Sequence, residues 1–96
     1  MRFLKKILES QSVTIVDVRN RTEFNSGHVS GAVNIPVDEI EARLDEFQQM
    51  KKPIVLYCRS GARSAMALNL LQRYGISDVY NAGSIDYVKT LMSEYA

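Results

Sequence analysis

Six positions of this chain, Cys58 to Arg63, hold its only cysteine and two of its arginines, and Ser64 follows directly. The thiolate is the reactive form of cysteine, and nearby fixed cations favour it, so the thiol should titrate below the ~8.5 of a free cysteine. Arg59 and Arg63 also offer forked donors suited to a sulfonate or a phosphate. Gly61 gives the segment the φ freedom a sharp reversal needs. A reversal that tight turns successive backbone N–H groups inward and makes a nest for an anion. These residues point to an anion-binding, low-pKa cysteine that needs no base. The competing reading is a buried cysteine acting as a small hydrophobe. It would leave two guanidinium groups in a tight loop with no evident partner.

Such a loop needs elements that present it. IVLYC (54–58) is an unbroken apolar run, the pattern of an interior parallel strand. Residues 62 to about 74 form a helix that ends at Gly75 and begins apolar on most sides. Strand, loop and helix place Cys58 at a helix N-terminus, where four unpaired N–H groups and the positive end of the dipole gather. Upstream, VTIVDVR (13–19) is a β-branched strand that delivers Asp17 and Arg19 at its carboxyl end. In FLKKILE (3–9), Phe3, Leu4, Ile7 and Leu8 share one helical face. Residues 20–31 read as a loop with a short helical turn, and AVNI (32–35) as a short strand closed by Pro36. Val37, Ile40, Leu44 and Phe47 mark a second helix. VYNA (79–82) is the last strand, and Ile85, Val88, Leu91, Met92 and Tyr95 mark a final amphipathic helix. Strands alternate with helices throughout, which predicts an α/β fold built of βαβ units. Ligands of such sheets lie at the carboxyl ends of the strands, where Asp17, Arg19 and Cys58 all fall.

Bulk properties bound the rest. With 96 residues, the chain suits a single domain, residues 1–96, with one modest core. Twelve basic against eleven acidic residues give no reason to expect nucleic acid as a partner. One cysteine and one histidine exclude an intrachain disulfide and the usual zinc sets, so no metal and no cofactor are expected. No stretch approaches a membrane span, and the N-terminal residues lack the apolar core of a secretory signal. The expected location is cytoplasmic, with an exported form that has lost its signal as the other option.

CRSGARS (58–64) closely resembles the active-site loop of rhodanese domains. DVR (17–19) resembles the Asp-x-Arg strand end of that family, and EFNSGHVSGAVNIP (23–36) its Glu-Phe to Asn-Ile-Pro signature. VYNAG (79–83) is similar to the last strand and its turn. The matches span about residues 13–88 in the family's order. The resemblance implies a rhodanese-like open parallel sheet of about four strands flanked by helices in three layers, with IVLYC beside VTIVDVR in the middle. It also implies persulfide chemistry. Cys58 takes the nucleophile's place and Arg59 the variable place that tunes donor preference. Ser60, Gly61, Ala62, Arg63 and Ser64 complete the substrate-binding loop, with Arg63 helping to hold both loop and anion. Asp17, Arg19, Glu23 and His28 fall on signature positions that act as supporting scaffold. The chain departs from the family in two places. Gly83-Ser84 stands where Gly-Gly is common, leaving Ser84 to cap the final helix. Val88 stands where a Trp is common.

The function expected is transfer of sulfane sulfur from thiosulfate or a related small anionic donor to cyanide or another thiophilic acceptor, small molecule or protein thiol. The chain is expected to act as a monomer or weak dimer. Two alternatives remain at this stage. A cysteine-dependent phosphatase or arsenate reductase also uses a Cys…Arg loop before a helix, but its loop is one residue longer than the four that separate Cys58 from Arg63. A non-catalytic rhodanese-like binding module would usually have lost the cysteine.

Overall fold

The computed structural model describes residues 2–92, so Tyr95 lies outside the described residues. Helix α1 (Arg2–Leu8) leads into strand β1 (Thr14–Asp17), the short helix α2 (Arg21–Asn25) and strand β2 (Val33–Asn34). Two 3-10 turns, Val37–Glu39 and Glu41–Arg43, precede α3 (Leu44–Gln49). Strand β3 (Ile54–Cys58), helix α4 (Ala62–Arg73), strand β4 (Val79–Ser84) and helix α5 (Ile85–Leu91) follow. The four strands form one parallel sheet ordered β2-β1-β3-β4, with the cysteine strand beside the Asp-x-Arg strand as expected.

All five residues of β3 are buried, because helices cover both faces of the sheet. Side chains of a strand alternate between faces. Ile54, Leu56 and Cys58 therefore join Val16, Phe47, Ala67 and Leu71 in the core under α3 and α4. Val55 and Tyr57 join Leu4, Leu8, Ile15 and Val88 under α1 and α5. The alternation has a direct consequence for the site. The Cys58 side chain points to the face that α4 covers, towards that helix's first turn.

Several elements differ from the sequence reading. Phe3 is 60% exposed, with its ring set edge-on at 5.4 Å from that of Tyr80, so only Leu4 and Leu8 of the apolar face are buried. The helix expected from Val37 to Phe47 is two 3-10 turns and a short α-helix. The Val37 N–H is tied to the Val18 carbonyl, and Arg43 leaves helical geometry at φ −124°. Met66, near the start of α4, is 62% exposed, so the sheet receives only the Ser64, Ala67 and Leu71 side of that helix. Strand β4 runs on through Gly83, where an irregularity shifts the register so that Tyr57 lies opposite Gly83 and Cys58 opposite Ser84. Ser84 then caps α5 by accepting the Tyr87 N–H at 3.1 Å, the role expected for it. No helix among the described residues is long and apolar enough to cross a membrane.

Candidate active site

Cys58 ends β3, and its side chain is buried. The chain reverses through Arg59 and Ser60 and enters α4 at Gly61, which takes φ +104°. This left-handed geometry costs an L side chain about 1–2 kcal/mol, which accounts for glycine at this position. It also turns the Gly61 N–H back onto Cys58 Sγ at 2.9 Å. Ser64, one turn into the helix and buried, brings its hydroxyl to 3.5 Å from the same sulfur. That hydroxyl also lies 3.1 Å from the Gly61 carbonyl oxygen and 3.5 Å from that of Gly83.

Burial pushes the Cys58 thiol up, since a charged sulfur loses hydration. Against it act the Ser64 hydroxyl and the backbone N–H groups of Ser64, Gly61 and Ser60, and together they bring the thiol below its ordinary value. The arrangement therefore holds a thiolate by neutral dipoles converging on one sulfur.

The two loop arginines have different surroundings. Arg59 is exposed and forms no ion pair among the described residues. Arg63 reaches out of the loop to α2, where its two terminal nitrogens donate to the two Glu23 carboxylate oxygens at 2.7 and 2.9 Å. The sequence reading had Arg63 holding loop and anion together. In the fold the guanidinium pairs with a carboxylate forty residues away in sequence, and the charge of Cys58 also acts on it. Glu23 is itself fixed by a capping box, because it accepts the Asn20 N–H at 3.1 Å while Asn20 accepts the Glu23 N–H at 2.8 Å. The Arg63 guanidinium is the main cause that holds the Glu23 carboxyl down at about 2.

The remaining scaffold positions lie beneath and beside α2. Asp17 is fully buried and takes a two-point bond from Arg19, whose other contact is the Gly27 carbonyl at 2.7 Å. Arg19 also lies over the Tyr57 ring at 5.7 Å, and Asn34 donates to the carbonyls of Asp17 and Arg19. This buried cluster ties the loop that carries α2 to the end of β1. His28 is exposed, stacks on Phe24 at 3.7 Å and places Nδ1 2.9 Å from the Phe24 carbonyl oxygen. Those contacts belong to its own loop.

An open cleft of about 500 Å³ lies over the site, lined in part by Arg19, Thr22, Glu23, Arg59, Ser60 and Asp86. Of the other lining residues, sequence points to Ile85 only as a marker of the last helix and to Thr22, Ser26 and Asp86 not at all. Ile85 and Asp86 follow Ser84 at the carboxyl end of β4, and the strand-end rule that selected Cys58 would have selected them too.

Known proteins resemble this chain in sequence and fold. Residues 2–88 match the family model described as a rhodanese-like domain. The chain belongs to that family. The protein YqhL of Bacillus subtilis is 34% identical over 86 residues, covering 83% of this chain and 68% of that protein. The thiosulfate sulfurtransferase GlpE of Shewanella oneidensis is 35% identical over 78 residues, covering 81% of this chain and 76% of its own. Among solved structures, the human single-domain sulfurtransferase TSTD1 superposes with a TM-score of 0.76 at 29% identity, covering 91% and 89% of the two chains. Fold, loop and relatives together support a sulfurtransferase enzyme.

Proposed function

We propose that this chain moves sulfane sulfur from thiosulfate, or a related small anionic donor, to a thiophilic acceptor through a persulfide on Cys58. The observation that carries the reading is the loop around the sulfur, with the Gly61 N–H at 2.9 Å and the Ser64 hydroxyl at 3.5 Å on a buried thiol held below its ordinary pKa. In the first step the Cys58 thiolate attacks the outer sulfur of thiosulfate. The donor's S–S bond breaks, and its electron pair leaves on sulfite. The terminal sulfur of the resulting persulfide carries the negative charge, and the amides of Ser60, Gly61 and Ser64 and the Ser64 hydroxyl hold it, with Ala62 completing the curve. Arg59 meets the anionic donor at the mouth. In the second step cyanide or an acceptor thiolate attacks the outer sulfur, and the electron pair of the broken bond restores the Cys58 thiolate. No general base is required at either step, which suits a loop with no histidine against the sulfur.

In this reading residues 1–96 act as one rhodanese domain, monomer or weak dimer, in the cytoplasm, on small molecules or a protein thiol. The experiment is mass spectrometry of the folded protein after thiosulfate. One sulfur atom should be added, cyanide should remove it and release thiocyanate, and Cys58→Ser should take up none. Failure of the folded protein to gain that mass overturns the proposal. Aryl phosphate hydrolysis lost with Cys58→Ser would turn the assignment to a phosphatase.

A further inference from the structure

We infer that Glu23 is a positioning residue for sulfur transfer, acting through Arg63: the two-point pair between them clamps the far end of the cysteine loop onto α2 and withdraws Arg63 from donor binding. The inference rests on the sulfurtransferase reading for its kinetic consequences, but its geometry stands independently.

Three observations carry it. First, both Arg63 terminal nitrogens are engaged by both Glu23 oxygens, at 2.7 and 2.9 Å. A fork-to-fork pair fixes orientation as well as distance. Second, Glu23 is held from behind. The capping box binds its carboxylate and its backbone to Asn20. Arg19 ties the same loop, at Gly27, to the buried Asp17. The clamp is thus anchored to the sheet. Third, Arg63 lies between Gly61 and Ser64, the residues whose N–H and hydroxyl reach Cys58 Sγ. Holding Arg63 holds both of them. A carboxylate lining an anion cleft would otherwise oppose donor binding, and its pairing with Arg63 neutralises it.

The clamp predicts an effect whose sign separates it from simpler roles. The charged groups around the cleft and the pair are Arg59 and Arg63 on the loop, Glu23 on α2, Asp86 on α5, and Arg19 with its buried partner Asp17 at the end of β1. Removing the Glu23 charge by Glu23→Gln would, acting through space alone, make the thiolate easier to form. Loosening the loop does the opposite, because the Gly61 and Ser64 donors drift from the sulfur. A purely structural carboxylate would lower the melting temperature and leave the thiol in place.

The test measures alkylation of Cys58 by neutral iodoacetamide against pH, together with thiosulfate:cyanide kinetics, for wild type, Glu23→Gln, Glu23→Asp, Arg63→Lys and the Glu23→Gln/Arg63→Lys double variant. Glu23→Gln should raise the apparent thiol pKa and lower kcat about tenfold, the size of one lost charge-assisted bond, while KM for thiosulfate falls, because Arg63 is released towards the anion and the carboxylate charge is gone. Arg63→Lys should raise the thiol pKa and lower kcat in the same way without the fall in KM, since an ammonium cannot make the fork and the Glu23 charge remains. Glu23→Asp keeps the charge but falls one methylene short, and should lie between wild type and Glu23→Gln. The double variant should be no worse than the poorer single one, as expected when one residue acts through the other. A thiol pKa unchanged or lowered in Glu23→Gln with wild-type kcat overturns the inference, and so do fully additive losses in the double variant. If Glu23→Gln does not fold, Glu23→Asp and Arg63→Lys carry the same comparison. If wild type takes no sulfur from thiosulfate, the functional reading fails while the alkylation profiles still decide the clamp.

Discussion

Ser64→Ala isolates one of the groups that hold the sulfur. The Ser64 hydroxyl has a single proton and three acceptors within 3.5 Å: Cys58 Sγ, the Gly61 carbonyl and the Gly83 carbonyl. When the sulfur is charged, the proton is drawn to it. Hydrogen bonds to charged groups contribute about 1.5–3 kcal/mol when well formed. This one is long and shared, so about 1 kcal/mol is the reasonable figure, a factor of about five in the ionisation of the thiol. The three backbone donors stay, so the thiol should rise by about that amount and no more. Where the assay pH lies below the thiol pKa, the thiolate fraction and the alkylation rate should fall roughly fivefold. Stability should change little, by about 1 kcal/mol, because the Gly61 carbonyl keeps the Ala65 N–H at 3.0 Å. The assay is the second-order rate of iodoacetamide alkylation from pH 5 to 10. The chain has only one cysteine, so the rate reports Cys58 without ambiguity. An apparent pKa at or below that of wild type would refute the claim that this hydroxyl serves the thiolate.

Three further expectations can be checked with the same material. Arg59→Ala should raise KM for thiosulfate about three- to tenfold at low ionic strength and less at high, with melts unchanged to within ~0.5 kcal/mol, because an exposed cation binds the anion but braces nothing; a comparable loss of stability would contradict that assignment. Gly61→Ala should cost about 1–2 kcal/mol in denaturant melts through its φ of +104° alone, since the added Cβ would meet Gly83 Cα at an ordinary 3.5 Å, and wild-type stability would show that the loop tolerates another path. Glu23, held at about 2 against an ordinary 4.5, should contribute its full stabilisation above pH 4.5 and lose it as pH falls towards 2, because the unfolded chain takes up its proton first; solvent access limits this to about 1 kcal/mol, and a wild-type minus Glu23→Gln difference that does not shrink over that window would count against the pair.

Much of the fold is legible because its signals are local. The run IVLYC, buried on both faces, and the alternation of such runs with amphipathic segments lead directly to a parallel sheet. The region after Pro36 is less legible for a physical reason. Val37 and Ile40 are spaced by three and Ile40 and Leu44 by four, which suits a 3-10 turn as well as an α-helix, and no glycine or proline marks the break at Arg43. Phe3 has the spacing of a buried residue, yet its ring meets the edge of Tyr80 and remains largely exposed. The cysteine loop could be read because its residues are contiguous. The Glu23–Arg63 pair could not, because nothing local to either residue names the other.

The sheet explains why two arginines of one loop have such different surroundings. In parallel pairing Asp17 lies opposite Tyr57, so β1 and β3 end at the same level and side by side. Whatever follows β1 must meet whatever follows β3. Glu23 stands six residues beyond Asp17 and Arg63 five beyond Cys58, and the two arrive at one place. Arg59 turns away before that meeting and remains uncommitted at the mouth. The sulfur is left with neutral dipoles around it and the paired Arg63 within charge reach, and the free Arg59 guanidinium lines the cleft. Turnover favours that balance. In the proposed transfer a second free guanidinium would strengthen the hold on the donor, but it would hold a leaving sulfite just as firmly, and binding that is uniform along the reaction adds nothing to kcat. By tying down Arg63, the fold keeps the cradle rigid while limiting the charge that the product must escape.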